Sequence, residues 1–100
     1  MCILSICIPT FNRVNNLKNL LDTIDPNFNI EVVICDDGST DNTRELVDKY
    51  CDKLNIKYIY QYNAGVSAAM LKAYKNSSGK YVIKMDSDDL FTDNGLDFIL

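Results

Sequence analysis

One hundred residues with 47% hydrophobic and 24% charged side chains make a single ordinary globular domain, which sets aside disordered, collagen-like and coiled-coil classes. The formal net charge of −4, with no run of Lys or Arg, argues against a nucleic-acid surface, which needs cations to neutralise phosphates. No apolar run approaches the roughly 20 residues of a membrane span, and Met1 to Pro9 is too short for a secretory leader, so a cytoplasmic chain is expected.

In chain order, ILSICI (3–8) is nearly continuous in apolar residues and reads as a strand covered on both faces. NNLKNLLDTI then places Leu17, Leu20, Leu21 and Ile24 on one helical stripe, which Asp25-Pro26 ends. IEVVIC (30–35) is a second fully covered strand. STDNTRELVDKYC offers Ser39, Thr40 or Asp41 as N-cap, with Glu45 early in the helix and Leu46, Val47 and Tyr50 as its apolar face. IKYIYQY (56–62) and KYVIKM (80–85) alternate more and suit strands nearer an edge or partly covered on one face. Between them, AGVSAAMLKAYKNSSG reads as a helix with Val66, Ala69, Met70 and Ala73 inward and Gly79 near its stop, and NGLDFIL opens a fourth helix. Tyr58, Tyr60, Tyr62, Tyr74 and Tyr81 are taken as sheet and helix packing. Cys2, Cys7, Cys35 and Cys51 form no C-x-x-C pair and there is no His, so Cys7 and Cys35 read as buried free thiols.

Strand and helix in alternation predict βαβ units, hence an α/β, Rossmann-like domain over 1–100 with a mostly parallel sheet and helices on both faces. Such sheets bind ligands outside the carboxyl ends of their strands, where strand order reverses. PTFNR, DDGSTD, NAGVS and DSDD should therefore share one edge. Two of these segments crowd acids, Asp36, Asp37 and Asp41 in one and Asp86, Asp88 and Asp89 in the other, and like charges so close call for a positive partner.

SICIPTFNR, VVICDDGSTDNT, NAGVSAA and GKYVIKMDSDD, in this order and at these spacings, resemble the N-terminal half of a glycosyltransferase family 2 enzyme, the GT-A fold that uses nucleotide-diphosphate sugars. Each motif alone is weak, whereas four in register over nearly the whole chain are specific. The resemblance implies that Pro9 and Thr10, in the loop after the first strand, touch the nucleotide base, and that Asp37 hydrogen-bonds that base, usually uracil. It puts the Asp-x-Asp motif on Asp86, near the ribose and metal, and on Asp88, coordinating a Mg²⁺ or Mn²⁺ that bridges the diphosphate. Arg13 is divided between a surface charge at a helix start and a place at the nucleotide. The metal also has a physical case, because hard divalent cations take one or two carboxylates plus substrate phosphates. Where a strand gives way to a turn, Asp86 and Asp88 can converge on one ion, whose Lewis acidity would stabilise the departing nucleoside diphosphate.

The implied activity is inverting transfer of a sugar from a nucleotide-diphosphate donor, usually UDP-linked, to an unknown saccharide or lipid-linked acceptor such as a growing cell-surface polysaccharide. It would take place in the cytoplasm or, through parts not in this segment, at the inner face of the membrane. The chain departs from the family pattern at Met70 and Leu71, where an Arg-Asn pair is frequent, and Lys72 lies roughly 100° round the helix from Leu71. The general base and the acceptor-binding half would lie beyond residue 100, so a truncated donor-binding part is expected. The alternatives are a non-catalytic sugar-nucleotide-binding module and a receiver-like phosphoacceptor domain, the latter needing a Lys at the end of a fifth strand. DDGSTDNT also reads plainly as a tight turn with an N-cap, and DSDDLFTD as a solvated loop capping the next helix.

Overall fold

The two nearly continuous apolar runs, each interrupted by a single polar residue, Ser5 or Glu31, form the middle of the sheet. Over residues 4–27 and 29–85, which the computed structural model describes, β1 (Leu4–Thr10) and β2 (Ile30–Asp36) are buried throughout. The alternating runs, β3 (Asn55–Tyr60) and β4 (Tyr81–Lys84), are the outer strands of a four-stranded sheet of order β3-β2-β1-β4. All three pairings are parallel, and α1 (Val14–Asp22), α2 (Thr43–Tyr50) and α3 (Val66–Lys75) carry the crossovers. The α/β, Rossmann-like plan is the one expected.

Period two sorts the core into two layers. Leu4, Ile6, Ile8, Ile30, Val32 and Ile34 face α1 and α2, which cover them with Leu17, Leu20, Leu21, Leu46 and Val47. Each large apolar side chain buried this way contributes about 1.5–3 kcal/mol. Cys7, Val33 and Cys35 face the other way, and α3 packs on them through Ala69 and Ala73. Small residues on both sides of that contact let the helix sit close to the sheet. Cys7 and Cys35 are buried free thiols, as expected, and burial, with Glu31 adding to it, pushes Cys7 up to about 11.

Several local expectations are corrected. Pro9 and Thr10 are not in a loop but are the last residues of β1, paired with Cys35 and Asp36. Cys7 accepts a bond from the Met85 N–H, so Pro9, two residues on, also faces the β4 side; there β4 has ended at Lys84, and among the described residues no strand partner faces the N–H that proline lacks. The N-cap of α2 is Asn42, with Asp41 turned to other work. Val66 is 58% exposed, because Gly65 is tied to Asp37, one residue past the end of β2, and α3 therefore begins where the sheet stops. Tyr60, Tyr62, Tyr74 and Tyr81 are exposed, Tyr62 at 88%, because three lie on or beside the outer strands and Tyr74 lines an open groove between α3 and Lys84; Tyr58 alone of the five packs on the core. The expected fourth helix falls outside the described residues.

Candidate functional site

Parallel pairing brings Thr10, Asp36, Tyr60 and Lys84 to one edge as the last residues of their strands. From β1 the chain steps outward to β2 and β3, then returns through α3 to β4 on the other side of β1. The switch point is therefore between β1 and β4, the general position of ligand sites in open α/β sheets.

Three of the four predicted segments meet there. Asn12, in the left-handed region at φ 50, exchanges bonds with the loop after β2: its N–H donates to Ser39 Oγ at 2.8 Å and its Oδ1 accepts the Thr40 N–H at 2.8 Å. Asn is among the few non-glycine residues that visit this backbone region readily. Asp41 joins two helix starts, accepting the Val14 N–H on Oδ2 at 3.2 Å and the Thr43 N–H on Oδ1 at 3.1 Å. Those N–H groups have no partner inside their own helices, and the negative charge suits both N-termini.

The acidic pair divides its tasks between the faces of the sheet. Asp36 accepts the Ser39 N–H on Oδ1 at 2.9 Å, closing the turn, and the Tyr58 hydroxyl on Oδ2, which together with burial raises the tyrosine pKa. Asp37, on the α3 side, accepts Gln61 Nε2 and the Ala64 N–H on Oδ1, each at 2.8 Å, and the Gly65 N–H on Oδ2 at 3.0 Å. Burial works to raise its pKa, but the donors at Ala64, Gln61 and Gly65 outweigh it and hold the carboxyl below the usual range. DDGST is thus a tight turn, as the plain reading had it, and also a tie to the loop after β3.

On the Asp36 face, opposite Asp36 in the strand register, the Thr10 hydroxyl is buried with no hydrogen-bond partner among the described residues. Buried hydroxyls are nearly always paired, so one left open at a strand end is an exception that calls for a partner. Arg13 is exposed at the N-cap of α1, at the same edge. Lys84, at the end of β4, lines a groove of about 360 Å³ with Val66, Ser67, Met70, Leu71 and Tyr74. Met70 and Leu71 therefore put apolar surface where the family pattern often has Arg-Asn.

Asp86, Asp88 and Asp89 lie outside the described residues. Among the described residues no three His, Cys, Asp or Glu side chains gather as a metal set, and both Asp36 and Asp37 are occupied with protein donors. Asn12 and Gln61 were not singled out from the sequence, and Gln61 carried no local signal. Glu31 was missed too, although a lone acid inside a doubly covered strand announces a buried partner.

The model of the family described as glycosyl transferase family 2 matches residues 5–97. The chain belongs to that family. GlyA, a glycosyltransferase of Streptococcus pneumoniae serotype 4, is 40% identical over 89 residues, covering 86% of this chain and 13% of its own length. S. aureus TarS 1–349, solved in complex with UDP-GlcNAc, matches with a TM-score of 0.90 at 33% identity, over 97% of this chain and 30% of that one. The glucosyl-3-phosphoglycerate synthase of Mycobacterium tuberculosis, solved with Mn²⁺, UDP and glucosyl-3-phosphoglycerate, matches with a TM-score of 0.71 at 21% identity, over 86% of this chain and 33% of that one; the likeness is one of fold. The chain thus spans a third or less of the length of the relatives named.

Proposed function

We propose that this chain is the donor-binding part of an inverting, metal-assisted glycosyltransferase that takes a UDP-sugar. The observation that carries the reading is the convergence of the loops after β1, β2 and β3 at the switch point, with the open Thr10 hydroxyl on the Asp36 face of the strand ends and the charged Asp37 on the α3 face. A carboxylate offers about four lone-pair sites; three protein donors occupy Asp37, so one remains for the N–H of a base, and uracil carries such a donor. Pro9 and Thr10 would border the base, and Arg13, exposed at this edge, would face the phosphates. Asp86 and Asp88 would hold Mg²⁺ or Mn²⁺, which when bound supplies positive charge to the diphosphate. TarS, seen with UDP-GlcNAc, supports the choice of donor. The acceptor is a saccharide or a lipid-linked one, such as a growing cell-surface polysaccharide, and the reaction is cytoplasmic. Among the described residues no helix is long and apolar enough to cross a membrane.

The test is thermal stability of the purified chain with UDP, with and without Mn²⁺, since a ligand that binds only the folded state raises its melting temperature. A rise with UDP that grows with Mn²⁺ is expected. No shift with any nucleoside diphosphate overturns the reading. Met70 favours a second reading, a sugar-nucleotide-binding module without turnover, because the groove beside Lys84 offers an apolar wall where a phosphate-binding Arg is frequent. Release of UDP from a UDP-sugar by the full chain, alone and with candidate acceptors, distinguishes the two.

A further inference from the structure

At the amino-terminal end of the sheet, opposite the candidate site, a carboxylate is buried in an otherwise apolar layer. Glu31, the second residue of β2, is 1% exposed. Its Oε1 accepts Lys57 Nζ at 2.8 Å, and its Oε2 accepts Ser5 Oγ at 2.7 Å and the Ser78 N–H at 2.8 Å. Ser78 Oγ lies 3.1 Å from both oxygens. The network continues outward, with the Gly79 N–H donating to Ser5 Oγ at 2.7 Å and Lys57 Nζ donating to the Asn76 carbonyl at 3.1 Å. One polar side chain from each of β1, β2 and β3 therefore grips the connection between α3 and β4. At Gly79 the approach is so close that a Cβ would stand 2.6 Å from Ser5 N and Oγ.

An apolar residue at position 31 would pack with Cys7 and Val33 on the same face, and replacing a buried ion pair in that way is often neutral or stabilising. What the acid adds is a fixed point. β4 is only four residues long and, among the described strands, is held by β1 alone. Slipping by one residue would move it by about 3.3 Å and would exchange Ile83 and Met85, which pack on the α1 and α2 side, for Val82 and Lys84. The clamp ends at Gly79, two residues before β4 starts at Tyr81 opposite Leu4 and then runs to Lys84 opposite Cys7.

We propose that Glu31 is a positioning residue for the donor site: by clamping the α3–β4 connection it sets the register of β4 on β1, and with it the position of Met85, whose N–H is bonded to the Cys7 carbonyl. The proposal rests on the reading of the site as a metal-assisted one, because Asp86 is the residue after Met85 in sequence and Asp88 comes two positions later.

The test compares the full chain with its Glu31→Gln variant by calorimetric titration with UDP, with and without Mn²⁺. In the variant the gain in UDP affinity brought by Mn²⁺ is expected to be reduced or lost, with metal-free UDP affinity unchanged. Amide exchange at Met85, whose N–H donates to the Cys7 carbonyl at 3.0 Å, is expected to speed up. A residue of purely structural value would lower the melting temperature and leave the Mn²⁺ gain intact, which overturns the proposal, as does equal loss in both arms. If Glu31→Gln does not fold, Ser78→Ala, which keeps the backbone bond and removes only the hydroxyl, gives the same comparison with a smaller loss. A wild-type chain that binds no UDP refutes the donor reading itself, and unchanged Met85 exchange in the variant then refutes the clamp separately.

Discussion

The backbone N–H of Gly65 lies 3.0 Å from Oδ2 of Asp37, joining the residue after β2 to the residue before α3 across 28 positions of sequence. Gly65 adopts φ 103 and ψ 158, a region open essentially to glycine alone, so the backbone is turned to present this N–H. The positive end of α3 and the Asp37 charge then face each other, a favourable pairing. The loop that borders the switch point is held by this carboxylate.

Asp37→Ala should accordingly cost both stability and ligand binding. Bonds to a charged group contribute about 1.5–3 kcal/mol each and are not additive, so a loss of about 2–4 kcal/mol is expected in urea unfolding. UDP affinity should drop with and without Mn²⁺, since the assigned partner is the base. A loss seen only when Mn²⁺ is present would contradict that role.

The glycines of the two loops should respond differently to alanine. At Gly38, φ is 90 and a Cβ would stand 3.1 Å from Asn63 N, so strain and crowding act together. At Gly65 nothing lies within 4 Å of the added carbon and only the backbone term remains, about 1–3 kcal/mol. Chemical denaturation should rank Gly38→Ala as the more destabilised; the reverse order would mean that Asn63 yields freely.

The buried Glu31 predicts an acid-labile fold. Burial pushes its pKa up, but the donors at Lys57, Ser5 and Ser78 prevail and bring it from 4.5 down to about 2. A depressed folded-state pKa stabilises fully above the unfolded value, and that contribution is lost as pH falls from about 5 toward 2. The difference corresponds to about 3 kcal/mol at neutral pH. Besides Lys57, the titratable neighbour is Cys7, whose raised pKa keeps it uncharged throughout this window. Asp37 adds to the same acid limb, since its pKa is lowered as well. Stability measured from pH 7 to 2 should fall less steeply in Glu31→Gln than in wild type; parallel curves would show that Glu31 does not titrate in the fold.

Asp88→Asn should remove metal-dependent nucleotide binding while leaving the metal-free component, because it deletes a charged oxygen donor at nearly constant shape. Calorimetry that found the UDP–Mn²⁺ affinity unchanged would refute the metal assignment.

Much of the architecture was legible because it depends on local pattern. Continuous apolar runs at 3–8 and 30–35 marked the central strands and alternating ones marked the outer strands, since exposure of a face shows in the residues that line it. Parallel βαβ order then brings strand-end loops to one edge whatever they contain. The tyrosines misled because an aromatic residue on an outer strand has the same local signature whether its ring is covered or bare. Pro9 misled because a proline can end a central strand when the neighbour on its side has already stopped, a fact of strand length elsewhere in the chain.

By itself the sequence settled periodicity, the placement of turn residues and the order of acidic segments, all properties of neighbours within a few positions. Which polar group answers which carboxylate was decided by the tertiary structure alone. Gln61 and Gly65 reach Asp37 across 24 and 28 residues, and Ser78 reaches Glu31 across 47. Hydrogen bonds require distances near 3 Å, and separations of that kind are set by how strands and helices stack, not by their spacing along the chain.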